Sequence, residues 1–522
     1  MKKVSVFLVL LLVASMLSGC TTSAADQQPA AGSSGSAPQE PKPARDDLNL
    51  SVTTVLTSVD PHFSEKIADM YAFRQTYEGL YYQNELTGIF EPRIASDYAV
   101  SDDGKTYTFT LNEKAKFHNG EAVKPSDVIF SFKRAAEYPS VSSRVANVES
   151  VTEKDPKTVE ILLKTPMAAF MTDMCGVYIL SEKVVTEQGK DFGTKAASAG
   201  TGPYYWASVD HANGWVLEAF KDYYRGEAAI KKINFKPISD ASAGLVAFEA
   251  GELDWYIAPV ANWDSLVANT EKYKTEIVPA NHISVIVVNP DANPALKNPL
   301  VRKAIGYAID KEAMNLVGFN GLAVTTDYMV PTQNTSADFD LGIVYEYNPE
   351  KARELLAQAG YPEGVDVGTI MSWTGGYYEK MAQVLHTSLN EIGIKCELQM
   401  IEQASVSPNL RSQNYDIATY GWSYYGDYSY MFTRWHSSQK GATYVLYTDK
   451  QFDGAKLDEL LEAGAVEMDP VKRTAIYKEY NDMFMDTATC FPCINKVQTY
   501  VWNKDLKAVN YPNFPEIYNW SW

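Results

Sequence analysis

YYEKMAQVLHTSLNEIGIKCELQMI, residues 377–401, carries two kinds of order in succession. Met381, Val384, Leu385 and Leu389 recur at the spacing of a helix with one apolar face. Gly393 then interrupts, as a residue free to leave the helical conformation does at a helix end. After it Ile394, Cys396, Leu398 and Met400 alternate with their neighbours, which is the two-residue period of a strand. A helix over about 377–392 that stops at glycine and feeds a strand over 394–401 is one unit of a layered α/β architecture.

Other stretches obey the same grammar. In NPLVRKAIGYAID, 298–310, Asn298 is placed to cap a helix, Pro299 fits its first position, and Val301, Ala304, Ile305 and Ala308 fall at helical spacing. NPEKARELLAQAGYPEG repeats the device, with Asn348 as cap, Ala352, Leu355, Leu356 and Ala359 as the stripe, and Gly360 and Pro362 as the stop. Pro125 begins a helix that carries Val128, Ile129 and Phe132. YTFTL, 107–111, alternates after the turn residues 101–104 and reads as a strand. No period of 20–50 residues is present, so the chain is not a repeat protein.

The N-terminus has a basic start, Lys2 and Lys3, an apolar run from Val4 to Leu17, and then LSGC at 17–20. That is the layout of a secretory signal and is too short for a spanning helix. LSGC resembles the bacterial lipobox, in which the cysteine, here Cys20, becomes the lipidated first residue. Residues 21–47 contain no aromatic and no large aliphatic side chain and are expected to be a disordered tether. As a flexible coil it spans roughly 30 Å. No later apolar run approaches a bilayer span. A net charge of −19 disfavours nucleic acid, whose phosphates it would repel. Of the remaining cysteines, Cys175 and Cys396 are isolated, and Cys490 and Cys493, in CFPC, fit either a local disulfide or free thiols.

Several motifs then occur in one order: SVDPH at 58–62, the run 77–111, AKFHNGEAVKPSDVIFSF at 115–132, AGTGPYYW at 199–206, GELDW at 251–255, the two capped helices, and YDIATYGW at 415–422. Together they resemble the oligopeptide-, dipeptide- and nickel-binding family of extracytoplasmic solute-binding proteins of ABC transporters, family 5. The resemblance runs from about residue 50 to 510. It implies an α/β, two-lobed clamshell of the type II periplasmic-binding-protein kind with an extra subdomain. Lobe I would comprise 48–74, 190–285 and 481–522, the subdomain 75–189 and lobe II 286–480. A short peptide or other small solute would be trapped between the lobes by hinge closure and passed to a permease and ATPase complex. The protein would act as a monomer outside the cytoplasm, held to the membrane by Cys20. The glycines of GTGPY, 200–204, would permit backbone conformations suited to a tight crossing between lobes.

YGWSYYGDYSYMFTRWH, 420–436, holds eight aromatic residues and one carboxylate, Asp427. In peptide-binding relatives a Gly-Trp pair leads to an aspartate that holds the ligand's α-ammonium. Gly421 and Trp422 match that pair, and Asp427 is the matching carboxylate. Relatives place it about three residues after the tryptophan, where this chain has Tyr425. Arg411 falls where some relatives supply an arginine to the ligand carboxylate. Trp373 ends a strand and precedes a helix, a place where α/β clefts commonly bind ligands. Tyr377, Tyr378, Trp422, Tyr424 and Tyr425 are candidates to line the same cleft.

Within this fold an oligosaccharide stacked on rings or a nickel chelate are alternative ligands, and a surface sensor without transport is an alternative role. The six histidines have no metal-ligand spacing, so no metal site is expected, nor any cofactor. GxSxG, HExxH and P-loop patterns are absent, so an enzyme is not expected.

Overall fold

The expected units form where the sequence places them. The helix Gly376–Glu391 buries Met381, Leu385 and Leu389, and Gly393 follows at φ 93°, a conformation that glycine adopts without strain. The helices Pro299–Tyr307 and Pro349–Gln358 are capped by the side chains of Asn298 and Asn348, which accept from the backbone N–H of Leu300 and Lys351. Thr106–Leu111 is a strand and Pro125–Ala135 a helix. The computed structural model describes residues 45–331, 342–424, 426–439 and 452–522. The leader, nearly all of the tether, Cys20 and Tyr425 lie outside the described residues.

One large sheet of 11 strands organises the chain. Numbered in chain order within it, they are β1 Asp47–Val52, β2 Tyr204–Asp210, β3 Gly214–Ala219, β4 Lys232–Pro237, β5 Trp255–Ile257, β6 Tyr273–Val288, β7 Val324–Thr325, β8 Val365–Trp373, β9 Ile394–Ile401, β10 Ile417–Ser423 and β11 Cys490–Asn503. The order across the sheet is β9-β8-β10-β6-β11-β5-β1-β4-β3-β2, with β7 on β11. β8 runs parallel to β9 and β10, and β1 parallel to β4 and β5. A separate sheet of 4 strands, within 95–163, belongs to the inserted segment.

β6 and β11 pair antiparallel along nearly their whole length and join two cores. Val278, Tyr500 and Trp502 pack into a core with Leu48, Phe73, Trp215 and Trp520. Ile283 to Val288 and Cys490 to Val497 pack into another with Ile305, Leu356, Leu385 and Ile417. Between them the register shifts: Pro279 faces Val497 and Ile283 faces Asn495. Residues 280–282 therefore bulge opposite Lys496, and such an irregularity bends the strand that holds it. A third core, from Leu80 to Ile179, fills the inserted subdomain. The core that ends at Val497 reaches past residue 480, where the lobe boundary was expected.

One open alternative is resolved here, and one reading is corrected. Cys490 and Cys493 are free thiols, both buried in β11. Residues three apart on an extended strand lie about 10 Å apart, beyond the reach of a disulfide. The glycines of GTGPY serve close approach and not unusual dihedrals. A Cβ on Gly200 would sit 2.0 Å from the Thr76 carbonyl oxygen, and one on Gly202 would sit 2.5 Å from that of Gln75. Neither glycine has positive φ, and both touch the end of the helix Ile67–Thr76 within one lobe. His118 of FHNG bonds the same loop, its backbone N–H to Gly200 O and its ring to Gly202 O.

Candidate functional site

A cavity of about 520 Å³ opens between the inserted subdomain, the first lobe and the loop that follows β10. This size falls within the roughly 300–1,000 Å³ of small-molecule sites. Arg74, Tyr82, Glu85, Phe514 and Asn513 form one side, and Glu65, Arg144, Thr172 and Tyr178 another. Asn281, from the bulge in β6 between the two cores, and Gly426 with Asp427, from the second lobe, close it.

Each charge on these walls has a partner in the protein. The Arg74 guanidinium donates to Glu85 at 2.8 Å, and Arg144 donates to Glu65 at 2.8 Å. The Nε of Arg74 is buried with no hydrogen-bond acceptor. Burial raises the Glu85 carboxyl, against the lowering influence of Arg74. Asp427 caps the turn Tyr428–Met431 by accepting from the Ser429 N–H at 2.8 Å. Its carboxylate also receives both terminal nitrogens of Arg473, at 2.7 and 2.5 Å. A carboxylate has about four acceptor positions, and these three bonds place two on Oδ1 and one on Oδ2, which leaves Oδ2 with acceptor capacity to spare.

Gly426 brings the two sides into contact. Its φ is 74°, and a Cβ there would meet Thr172 Cγ2 at 2.6 Å and Gln83 Oε1 at 2.9 Å. The Ala168 N–H donates to Ala465 O at 3.1 Å, a second junction between the subdomain and the other lobe. Asp173, on the helix Phe170–Cys175, is pushed up to about 7 by burial, with Asp427 adding to the rise and Arg144 opposing it.

Of the described residues singled out in the sequence, Asp427 is on the cavity wall and the others are elsewhere. Trp422 and Tyr424 are buried, Trp422 edge-on to Trp435 with centroids 5.9 Å apart and Tyr424 edge-on to Tyr430, also at 5.9 Å. Trp373 packs on Tyr378 with centroids 3.9 Å apart, and Tyr377 lies 4.2 Å from Tyr378. This aromatic group sits at the C-terminal end of β8, beside His282, whose Nε2 is 2.8 Å from the Tyr378 hydroxyl. Arg411 is exposed in the last turn of the helix Gln403–Arg411 and does not line the cavity. Tyr425 lies outside the described residues. Sequence reasoning missed Arg74, Arg144 and Arg473. Nothing in their local pattern marks them; only the fold brings Arg74 and Arg144 to the cavity wall and Arg473 against Asp427.

Comparisons with known proteins agree with this architecture. The family model described as bacterial extracellular solute-binding proteins, family 5 Middle, matches residues 90–443. The glutathione-binding protein GsiB of Salmonella paratyphi A is 26% identical over 470 residues, which cover 87% of this chain and 90% of that protein. NikA from Brucella suis, solved with Fe(III)-EDTA, has a TM-score of 0.81 at 22% identity, covering 91% of this chain and 99% of that one. A dipeptide-binding protein from Pseudoalteromonas sp. SM9913, solved with Met-Leu, has a TM-score of 0.75 at 20% identity, with coverage of 91% and 99%. At such identities the solved structures speak to the fold: a type II, two-lobed α/β clamshell. With the family model spanning most of the chain, the protein belongs to the bacterial extracellular solute-binding proteins of family 5.

Proposed function

We propose that this protein captures short peptides in the cavity between its lobes and delivers them to an ABC permease, anchored to the membrane through a lipid on Cys20. The carrying observation is the charge layout of the cavity. Arginines 74 and 144 stand on the walls with Glu65, Glu85 and Asp427, so both signs are offered to a solute. A peptide with free ends bears one charge of each sign, together with amides that can use Asn281 and Asn513 for hydrogen bonds. Asp427 is the residue assigned to the ligand's ammonium, through the spare acceptor capacity of its Oδ2. Arg74, with a buried Nε lacking an acceptor, is assigned to a carboxylate. Charge-assisted bonds of this kind contribute about 1.5–3 kcal/mol each. The curated relative that binds glutathione and the solved relative holding Met-Leu support a peptide-like solute.

Calorimetry on the purified protein with glutathione, Met-Leu, N-acetyl-Met-Leu, an oligosaccharide and nickel–histidine tests this reading. The expected result is binding of a free-ended peptide that weakens on acetylation. Binding of the sugar or the nickel complex alone would overturn it.

A further inference from the structure

Lys496 lies in β11 opposite the bulge 280–282, where the strand pairing changes register between the two cores. Among the described residues no carboxylate pairs with it. Its Nζ sits 5.9 Å from the Tyr377 ring centroid, and burial alone pushes its pKa down. A desolvated ammonium without a counter-charge is costly, which is why sunken lysines elsewhere are paired or neutral.

The surroundings are built of polar edges that carry no charge. His282, from the bulge itself, is pushed down to about 3 by burial and by Lys496, so its imidazole is neutral. Its Nε2 is 2.8 Å from the Tyr378 hydroxyl and 3.4 Å from that of Tyr377. The next residue back, Asn281, faces the cavity. Thr374, Gly375 and Gly376 are exposed beside this group, and Trp373 closes its apolar side. Gly421 is needed here, because a Cβ would lie 2.1 Å from the Tyr378 oxygen. The cluster stands at the carboxyl end of β8 and β10, the edge of a parallel sheet at which α/β proteins take ligands.

We infer that Lys496, with Tyr377 and His282 beside it, forms an anchoring subsite for a carboxylate of the bound solute, which supplies from outside the counter-charge that no described residue provides. This rests on the reading of the interlobe cleft as the solute site and adds to it a preference for acidic solutes. A carboxylate there pairs with the ammonium and receives the Tyr377 hydroxyl. Two further consequences follow. Removing the ammonium relieves the unliganded protein of a desolvated charge, so Lys496→Met raises its melting temperature. The same change weakens a carboxylate-bearing solute by about tenfold or more, the usual loss for a charge-assisted bond.

The test uses full-length protein carrying 13C-labelled lysine, with the Lys496 signal assigned by its disappearance in K496R. Glutathione, Met-Leu and citrate are the probes, with calorimetry run in parallel. The expected result is that a carboxylate probe shifts the Lys496 signal and that K496M loses affinity for that probe while melting higher. A peptide that binds by calorimetry and leaves the Lys496 signal unmoved removes the subsite but spares the peptide reading. Citrate moving the signal while no peptide binds upholds the subsite and removes peptides as the solute. If no probe moves it, or if K496M melts lower than the native protein, the ammonium is structural and the subsite is overturned.

Discussion

At Gly421 the backbone of β10 passes so close to Tyr378 that a methyl group would lie 2.1 Å from its hydroxyl oxygen and 2.5 Å from the carbonyl oxygen of Ile283. Gly421→Ala is therefore expected to cost about 1–3 kcal/mol by overpacking, read as a lower urea midpoint with an unchanged slope. Asp427 sits in a similar bind of a different kind. Both it and Arg473 have side chains 13% exposed, and each supplies the other's counter-charge. Truncating Asp427 to alanine leaves the guanidinium unpaired and is expected to destabilise the unliganded protein by about 3–5 kcal/mol, measured by denaturant unfolding. If Asp427 also holds a ligand ammonium, D427N brings the affinities for free and N-acetylated peptide together. The sequence stretch 420–436 showed one carboxylate among rings, and that much was legible there. Its partner was not, because Arg473 lies 46 positions further on, in a helix with nothing unusual in its pattern.

The elements were legible where local chemistry dictates them. Asn-Pro starts, glycine stops and period-two runs are decided within a few residues, so the helices beginning at Pro299 and Pro349 and the strand Ile394–Ile401 fall where their patterns put them. Asn348→Ala removes a side-chain acceptor for the Lys351 N–H and is expected to cost about 1 kcal/mol, seen as a small fall in melting temperature. β6 and β11 show what local patterns omit. Both strands serve two cores, and the change of hands occurs at a register shift that no periodicity announces. The glycines of GTGPY were visible as glycines, but their reason is the proximity of Thr76 and Gln75, set by chain-distant packing.

Across the molecule, the cavity brings Asp173 of the subdomain into the field of Asp427 from the other lobe. Burial first, and Asp427 second, raise the Asp173 carboxyl from an ordinary 3.8 to about 7, against Arg144. Over that interval the folded chain binds this proton more tightly than the unfolded chain. The contribution of Asp173 to stability thus falls as pH climbs from about 4 to about 7 and is level above. Asp173→Asn removes this slope. Melting temperatures from pH 5 to 8 are expected to show the variant gaining on the native protein as pH rises, with the difference flattening above neutrality. A constant difference across that range would contradict the assignment.

The core beneath β1 is completed by Tyr500, Trp502 and Trp520, so residues from the two ends of the described chain must meet before that lobe is whole. Contacts between residues so far apart in sequence raise the contact order, and a high contact order slows folding. Recovery of the denatured protein is therefore expected to be slow beside that of a domain wired by neighbouring segments.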